Sequence, residues 1–253
     1  MSTINIEFLI LGFNGQSVSL ECLKSITTFA PSASVTFLDN GSSEEMHAIK
    51  AYISAYPNWH YLRSETNLGV TKGRNLLLSS SSGDILVFMD NDAQLTGPIS
   101  EILIDTISKE QNIGIVGKEG ILFDPDLNDY LYRGNMRVDA VPGYFQAFSR
   151  RFYLDVGMLD ERFDLYWMED MDYCLEGKKK GFVNKIIENL PIEHLEHISS
   201  SFLDDETKKQ KIHTNRQLFV SKWSTQLDIL EINRAHIDHL SCVNCDQKWS
   251  RQQ

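Results

Sequence analysis

An α/β fold with a mostly parallel central sheet flanked by helices is predicted by three features of this sequence. Short β-rich runs alternate with amphipathic stretches through the first half, the alternation that calls for a parallel sheet covered on both faces. The first and fourth runs are almost continuously apolar. Polar clusters stand at the strand exits, which is where ligands bind in such sheets.

The elements follow in order. Residues 4–13 (INIEFLILGF) read as a buried strand, and Leu20, Leu23 and Ile26 then recur at helical spacing until Pro31 closes that helix. Ser34–Asp39 is a second strand. Ser42, with Glu45 three residues on, forms a capping box for a helix carrying Met46, Ile49, Tyr52 and Ile53. After Pro57 come a third strand (WHYLRS), a helix over 71–80 and a fourth strand at 84–89 (DILVFM). Past about residue 115 the alternation loosens. Residues 113–116 and Gly120–Phe123 are strand-like, 124–128 is a polar turn, 133–148 is mixed, and 184–190 is strand-like again. An amphipathic stretch covers 170–180, and a polar helix covers 204–223. The pattern predicts one domain over 1–225 and a tail over 226–253.

Composition narrows the function. The chain has 253 residues, 42% of them hydrophobic, enough to bury a full core, and 35 acidic against 24 basic residues give a formal charge of −11. Nucleic-acid surfaces need a basic stripe, so that class is excluded. No run approaches the twenty apolar residues of a membrane span, and residues 1–5 lack a basic leader, so a cytoplasmic protein is expected, with peripheral membrane contact left open. Four cysteines in a chain this large do not make a secreted disulfide framework.

Chemistry concentrates at strand ends. The second strand ends in Asp39-Asn40-Gly41-Ser42 and the fourth in Asp90-Asn91-Asp92, with Asn67-Leu68-Gly69 and Gly73-Arg74-Asn75 between them. Alternate residues leaving a strand point the same way, so Asp90 and Asp92 can share a hard divalent cation such as Mn²⁺ or Mg²⁺. An isolated Asp-x-Asp is an ordinary polar turn; the apolar strand before it and the neighbouring clusters raise it above that.

Five segments carry a resemblance: FLDNGS (37–42), NLGVTKGRN (67–75), VFMDND (87–92), GYFQAFSRRFYLDVGMLDERF (143–163) and YWMEDMDYCLEGKKKGF (166–182). In this order the chain resembles a family 2 glycosyltransferase of the GT-A fold, over roughly residues 4–200. The resemblance implies a Rossmann-like sheet, a nucleotide-sugar-binding half over 1–115 and an acceptor-binding half over 116–225. It implies metal-dependent, inverting transfer of a sugar from a UDP- or dTDP-sugar to a hydroxyl of a glycan, glycolipid or protein acceptor, in polysaccharide or glycoconjugate synthesis. Asp39 would bond the uracil or thymine ring, Asp90 would face the ribose and the metal shell, and Asp92 would ligate the metal. Asn67, Arg74 and Asn75 would lie near the donor, with Arg74 a candidate for phosphate contact. Asp170 of the Glu169-Asp170 pair would be the catalytic base, and Tyr166, Trp167, Glu169 and Asp172 would lie on the acceptor side. Acidic residues also favour a helix N-terminus through its dipole alone.

A metal-binding histidine is implied before the Ser199-Ser200-Ser201 stretch; His197 is the first candidate and His194 the alternative, although serines stand where the family often has glycines. In the tail, His236, His239, Cys242 and Cys245 are donor types for zinc at a spacing no standard finger uses. Lys178-Lys179-Lys180 reads as a solvated helix face. Two other functions were open to such a sequence. A sugar-phosphate nucleotidyltransferase normally carries a basic glycine-rich loop after its first strand, whereas Gly12-Phe13-Asn14-Gly15-Gln16 has no basic residue. A non-catalytic nucleotide- or glycan-binding module would have no need of both Asp92 and Asp170.

Overall fold

The computed structural model describes residues 4–132, 137–195 and 204–231. In chain order the elements are β1 (Ile6–Gly12), α1 (Gln16–Phe29), β2 (Ser34–Asp39), α2 (His47–Ile53), β3 (Trp59–Arg63), α3 (Gly69–Ser80), β4 (Ile85–Asp90) and β5 (Ala93–Leu95). There follow α4 (Ser100–Lys109), β6 (Ile113–Gly117), β7 (Gly120–Phe123), β8 (Asp129–Tyr132), β9 (Arg137–Val138) and β10 (Phe145–Ser149). The last are α5 (Arg150–Val156), α6 (Glu169–Lys179), β11 (Val183–Ile186), β12 (Ile192–His194) and α7 (Asp205–Trp223).

The main sheet has the order β3-β2-β1-β4-β10-β6-β11-β9. Its first four strands are parallel, because each helix between them carries the chain back across a face. β10 then runs antiparallel to both β4 and β6, β11 is parallel to β6, and β9 is antiparallel to β11. Gly12 stands beside Asp39 and Leu11 beside Asp90, so the exits of β2, β1 and β4 form one ledge. Asp39 and Asp90 are two strand spacings apart on it, about 10 Å.

Side-chain alternation divides the core into two layers. Phe8, Ile10, Val35, Phe37, Val87 and Met89 pack with Cys22, Leu23 and Ile26 of α1. Leu9, Leu38, Leu86 and Phe88 face the other way, onto Leu77 and Leu78 of α3 and onto Tyr173 and Leu175 of α6. Both Cys22 and Cys174 are buried free thiols. Among the described residues, no helix is long and apolar enough to cross a membrane.

Several expectations need correction. The Ser42–Glu45 capping box does not form: α2 starts at His47, and the Ser42 hydroxyl accepts from the Asn14 amide at 2.8 Å, tying the first two strand exits together. Helices α4 and α5 were not anticipated, although Ile99, Leu103 and Ile107 stand four apart and are buried. Lys178 is not part of a solvated face; its ammonium is buried between Asp139 (2.7 Å) and Glu231 (2.8 Å). Packing also continues past residue 225, since Leu227, Ile229 and Leu230 lie against the second layer. His236, His239, Cys242 and Cys245 lie outside the described residues.

Candidate active site

The ledge is organised by the side-chain amides of Asn14, Asn40 and Asn67. Asn14 Oδ1 accepts from the amides of Ser43 and Glu44, closing the β1 exit over the β2 exit. Asn40 Nδ2 donates to Asn67 Oδ1 at 3.1 Å and to the Gly69 carbonyl, while its Oδ1 accepts from Leu68. Asn67 Oδ1 also accepts from the Gly69 amide and so shapes the turn that leads into α3.

Asp39 lies at the bottom of this ledge, fully buried. Oδ1 accepts from the Ser42 amide at 3.0 Å, and Oδ2 accepts from the Tyr61 hydroxyl at 2.7 Å and from the Arg63 guanidinium. Burial alone would raise its pKa, but the hydrogen bonds from Tyr61 and Ser42 and the Arg63 charge outweigh it and hold the carboxyl below its usual range.

At the β4 exit the carboxylates of Asp90 and Asp92 converge with His194, one ligand atom from each lying within 4.8 Å of the others. Two local features produce this. β12 pairs antiparallel with β5, setting His194 beside Ala93, and His194 Nε2 comes within 3.1 Å of Asp92 Oδ1. The Tyr144 ring stacks on the imidazole at 4.7 Å and 6°, and the Tyr144 carbonyl accepts from the Asp90 amide. Burial and the neighbouring Asp92 charge raise the Asp90 pKa against the opposing charges of Arg74 and His194. Donors around an octahedral Mg²⁺-sized ion stand about 3–4 Å apart, so this cluster fits a small divalent cation. Carboxylates suit Mg²⁺ and Mn²⁺ alike, and a neutral imidazole can complete the set. His197 lies outside the described residues; the histidine found in the cluster is His194.

Arg74 joins this cluster to the acidic pair. Thr71, Arg74, Asn75 and Leu78 form one buried stripe of α3, at the i, i+3, i+4, i+7 spacing of a helix face. The guanidinium donates to Asp90 Oδ1 at 3.2 Å and to the Gly143 carbonyl at 2.8 Å, and it lies 3.8 Å from Glu169 Oε1. The Gly143 amide in turn donates to Asp170 Oδ2 at 2.7 Å. A Cβ at Gly143 would lie 3.0 Å from the Arg74 guanidinium and from Asp170 Oδ2, so a side chain there would press on both. Arg74 Nη2 is thus taken by protein groups, while Nη1 is buried without a hydrogen-bond partner; Asn75 is held by the segment after α5. Its amide donates to the Leu159 carbonyl and to Glu161 and accepts from the Leu159 amide.

Glu169 and Asp170 open α6. Asp170 Oδ1 accepts from the Met171 amide at 2.8 Å. Burial is the main cause that raises both carboxyls; Glu169, also repelled by Asp170, is pushed up to about 8 while Arg74 opposes the shift. Burial therefore makes ionising either member costly, and the Arg74 charge and the backbone amides are what oppose it. Asp172 does not face this pair. It is buried under α7, accepting from Lys222 and from Trp223 Nε1 at 2.8 Å, and burial pushes it up to about 6 despite the Lys222 charge. Tyr166 and Trp167 are half-buried on the loop before α6, where their carbonyls accept from Asn215. Tyr144, Asn14, Gly143 and Asn215 were not singled out by sequence reasoning. Only Gly143 and Tyr144 had a signal, their place in the GYFQAF segment.

The family model for "Glycosyl transferase family 2" matches residues 9–159. An uncharacterized protein of Haemophilus influenzae is 30% identical over 94 residues, 36% of this chain and 51% of that protein. A structure of GalNAc-T7 with UDP, GalNAc and Mn²⁺ superposes with a TM-score of 0.69 at 15% identity, over 93% of this chain and 55% of that one. The mannosyltransferase PcManGT of Pyrobaculum calidifontis, in complex with GDP-Man and Mn²⁺, gives 0.61 at 12% identity, over 87% and 71%. S. aureus TarS 1-349 gives 0.56 at 14%, over 92% and 77%. The chain spans about half the length of the first structure, and its match to the Haemophilus protein about half of that protein. At these identities the likeness to the structures is one of fold, the GT-A fold.

Proposed function

The chain belongs to glycosyl transferase family 2, and from that premise we propose that it transfers a sugar from a UDP- or dTDP-sugar to an acceptor hydroxyl, with inversion. One observation carries the reading: the Asp90–Asp92–His194 cluster and the Glu169–Asp170 pair flank one arginine and one glycine, Arg74 and Gly143. Asp90, Asp92 and His194 would hold a divalent cation, which supplies Lewis-acid charge against a departing diphosphate.

Asp170 is the base. Its two oxygens are oriented by the Gly143 and Met171 amides, and it takes the acceptor proton as the hydroxyl attacks. A single displacement needs one such base and gives inversion. Asp39 recognises the imide N–H of the base by exchanging its contact with the half-exposed Arg63 for one with the ring. A buried acceptor left unpaired by a cytosine or adenine ring disfavours those bases.

Calorimetry with UDP, dTDP, CDP and ADP in Mn²⁺ tests the donor side: tighter binding of the first two is expected, and equal affinities refute the Asp39 role. The configuration of the transferred sugar, read by NMR, tests the displacement; retention rules out a single step. Purified chain that binds nucleotide but never releases it from any nucleotide sugar is a binding module instead.

A further inference from the structure

We propose that Asn215, on α7, is a positioning residue that holds the loop presenting Glu169 and Asp170; this rests on the reading of Asp170 as base. The loop is strained. Leu165, Trp167 and Met168 take φ of 70°, 83° and 73°, the left-handed region that disfavours residues with a side chain. Such conformations persist only where surrounding contacts over-determine them, and here those contacts come from two helices.

From α3, the Thr71 hydroxyl donates to the Phe163 carbonyl and the Val70 amide to the Leu165 carbonyl, both at 2.6 Å. Gly69, at φ +77°, lets Leu165 approach so closely that an added Cβ would lie 2.9 Å from its Cα. From α7, the Asn215 amide nitrogen donates to the carbonyls of Asp164 (3.0 Å), Tyr166 (2.7 Å) and Trp167 (3.1 Å). Asn215, Phe219 and Trp223 are four apart and almost wholly buried, so Asn215 is the polar member of an otherwise apolar stripe. One turn onward from the loop, Lys222 and Trp223 fix Asp172 and so the first turn of α6. α7 contributes no side chain to the ledge, yet it sets where the base stands.

The test uses the full chain with Asn215→Ala and Asn215→Asp. Aspartate keeps the shape but turns donors into an acceptor facing three carbonyls. Both variants are expected to lower kcat per nucleotide-binding site by about tenfold or more, since small misplacements of a reacting group are costly. Donor KM should stay within about twofold, because the carbonyls that Asn215 holds belong to residues 164–167 and not to the metal cluster or Asp39. Hydrogen exchange over residues 163–170 should quicken in both while β1 and β2 keep their protection. A wild-type-like Asn215→Asp beside a defective Asn215→Ala makes Asn215 a space-filler and overturns the proposal, as does unchanged exchange over 163–170 in both. If the wild-type chain turns over no nucleotide sugar, the reading of function fails, and the exchange comparison alone still decides whether Asn215 holds the loop.

Discussion

At the scale of single residues, burial rather than identity decides what each carboxylate does. Glu169, Asp170 and Asp172 sit within four positions, yet one has its pKa pushed up to about 8, one is oriented toward Gly143, and one is locked under α7. For Glu169 the folded pKa, about 8, lies above the ordinary 4.5. The folded state therefore holds the proton more tightly, and the stability this contributes is full below pH 4.5 and lost as pH rises through 8. Thermal melts should show Glu169→Gln gaining on the wild type between those limits, with the gap level above and below. Asp172→Asn should behave in the opposite way to an active-site variant. It is expected to cost about 1–3 kcal/mol by weakening the contacts of half-buried Lys222 and buried Trp223, with kcat of the folded fraction lowered far less than by Asp170→Asn. A lost kcat at unchanged stability would return Asp172 to the acceptor side. The acidic triplet was legible in the sequence as a site, but sorting its members requires knowing which way α6 is rotated, and that is set by Trp223 from fifty residues away.

At the scale of elements, the parallel half was legible because local periodicity and tertiary demand agree there. Ser34–Asp39 is buried at every position, and its strand boundaries follow directly from SVTFLD. Agreement ends where contacts become non-local. Ser42 matches a helix cap by spacing, but its hydroxyl is taken by Asn14, and α2 begins without a side-chain cap. β5 and β12 are three residues each and acquire strand geometry only from one another, so neither carries a readable pattern. Their pairing nonetheless brings His194 to Asp92. His194→Ala is therefore expected to weaken Mn²⁺ binding about 10–100-fold in calorimetry, a loss typical when a metal site is disturbed, while His197→Ala leaves it within twofold. The reverse result would place His197 in the shell.

At the scale of the whole molecule, two sheet halves meet at β4 and β10, and the site lies where the strand direction reverses. The parallel half supplies Asp39, Asp90 and Arg74, and the later half supplies Gly143, Asp170 and His194. The closing segment belongs to this unit: Leu227, Ile229 and Leu230 pack on it, and Glu231 completes the buried Asp139–Lys178 pair, its amide also donating to Asp139. A chain ending at 225 should lose on the order of 3 kcal/mol of apolar burial and melt about 6–12 °C lower, whereas one ending at 231 should keep these contacts; equal melting of the two would make the segment dispensable. The arrangement of the two halves has one chemical consequence that a single measurement reaches. Nucleoside diphosphate release from a panel of UDP- and dTDP-sugars should be followed with Mn²⁺, with excess EDTA, and with Asp170→Asn in Mn²⁺. The expected result is release in Mn²⁺ alone, abolished by EDTA, and reduced by about 10²–10⁴ in the variant with nucleotide affinity unchanged. Release that persists undiminished in EDTA, or that Asp170→Asn leaves intact, would contradict it.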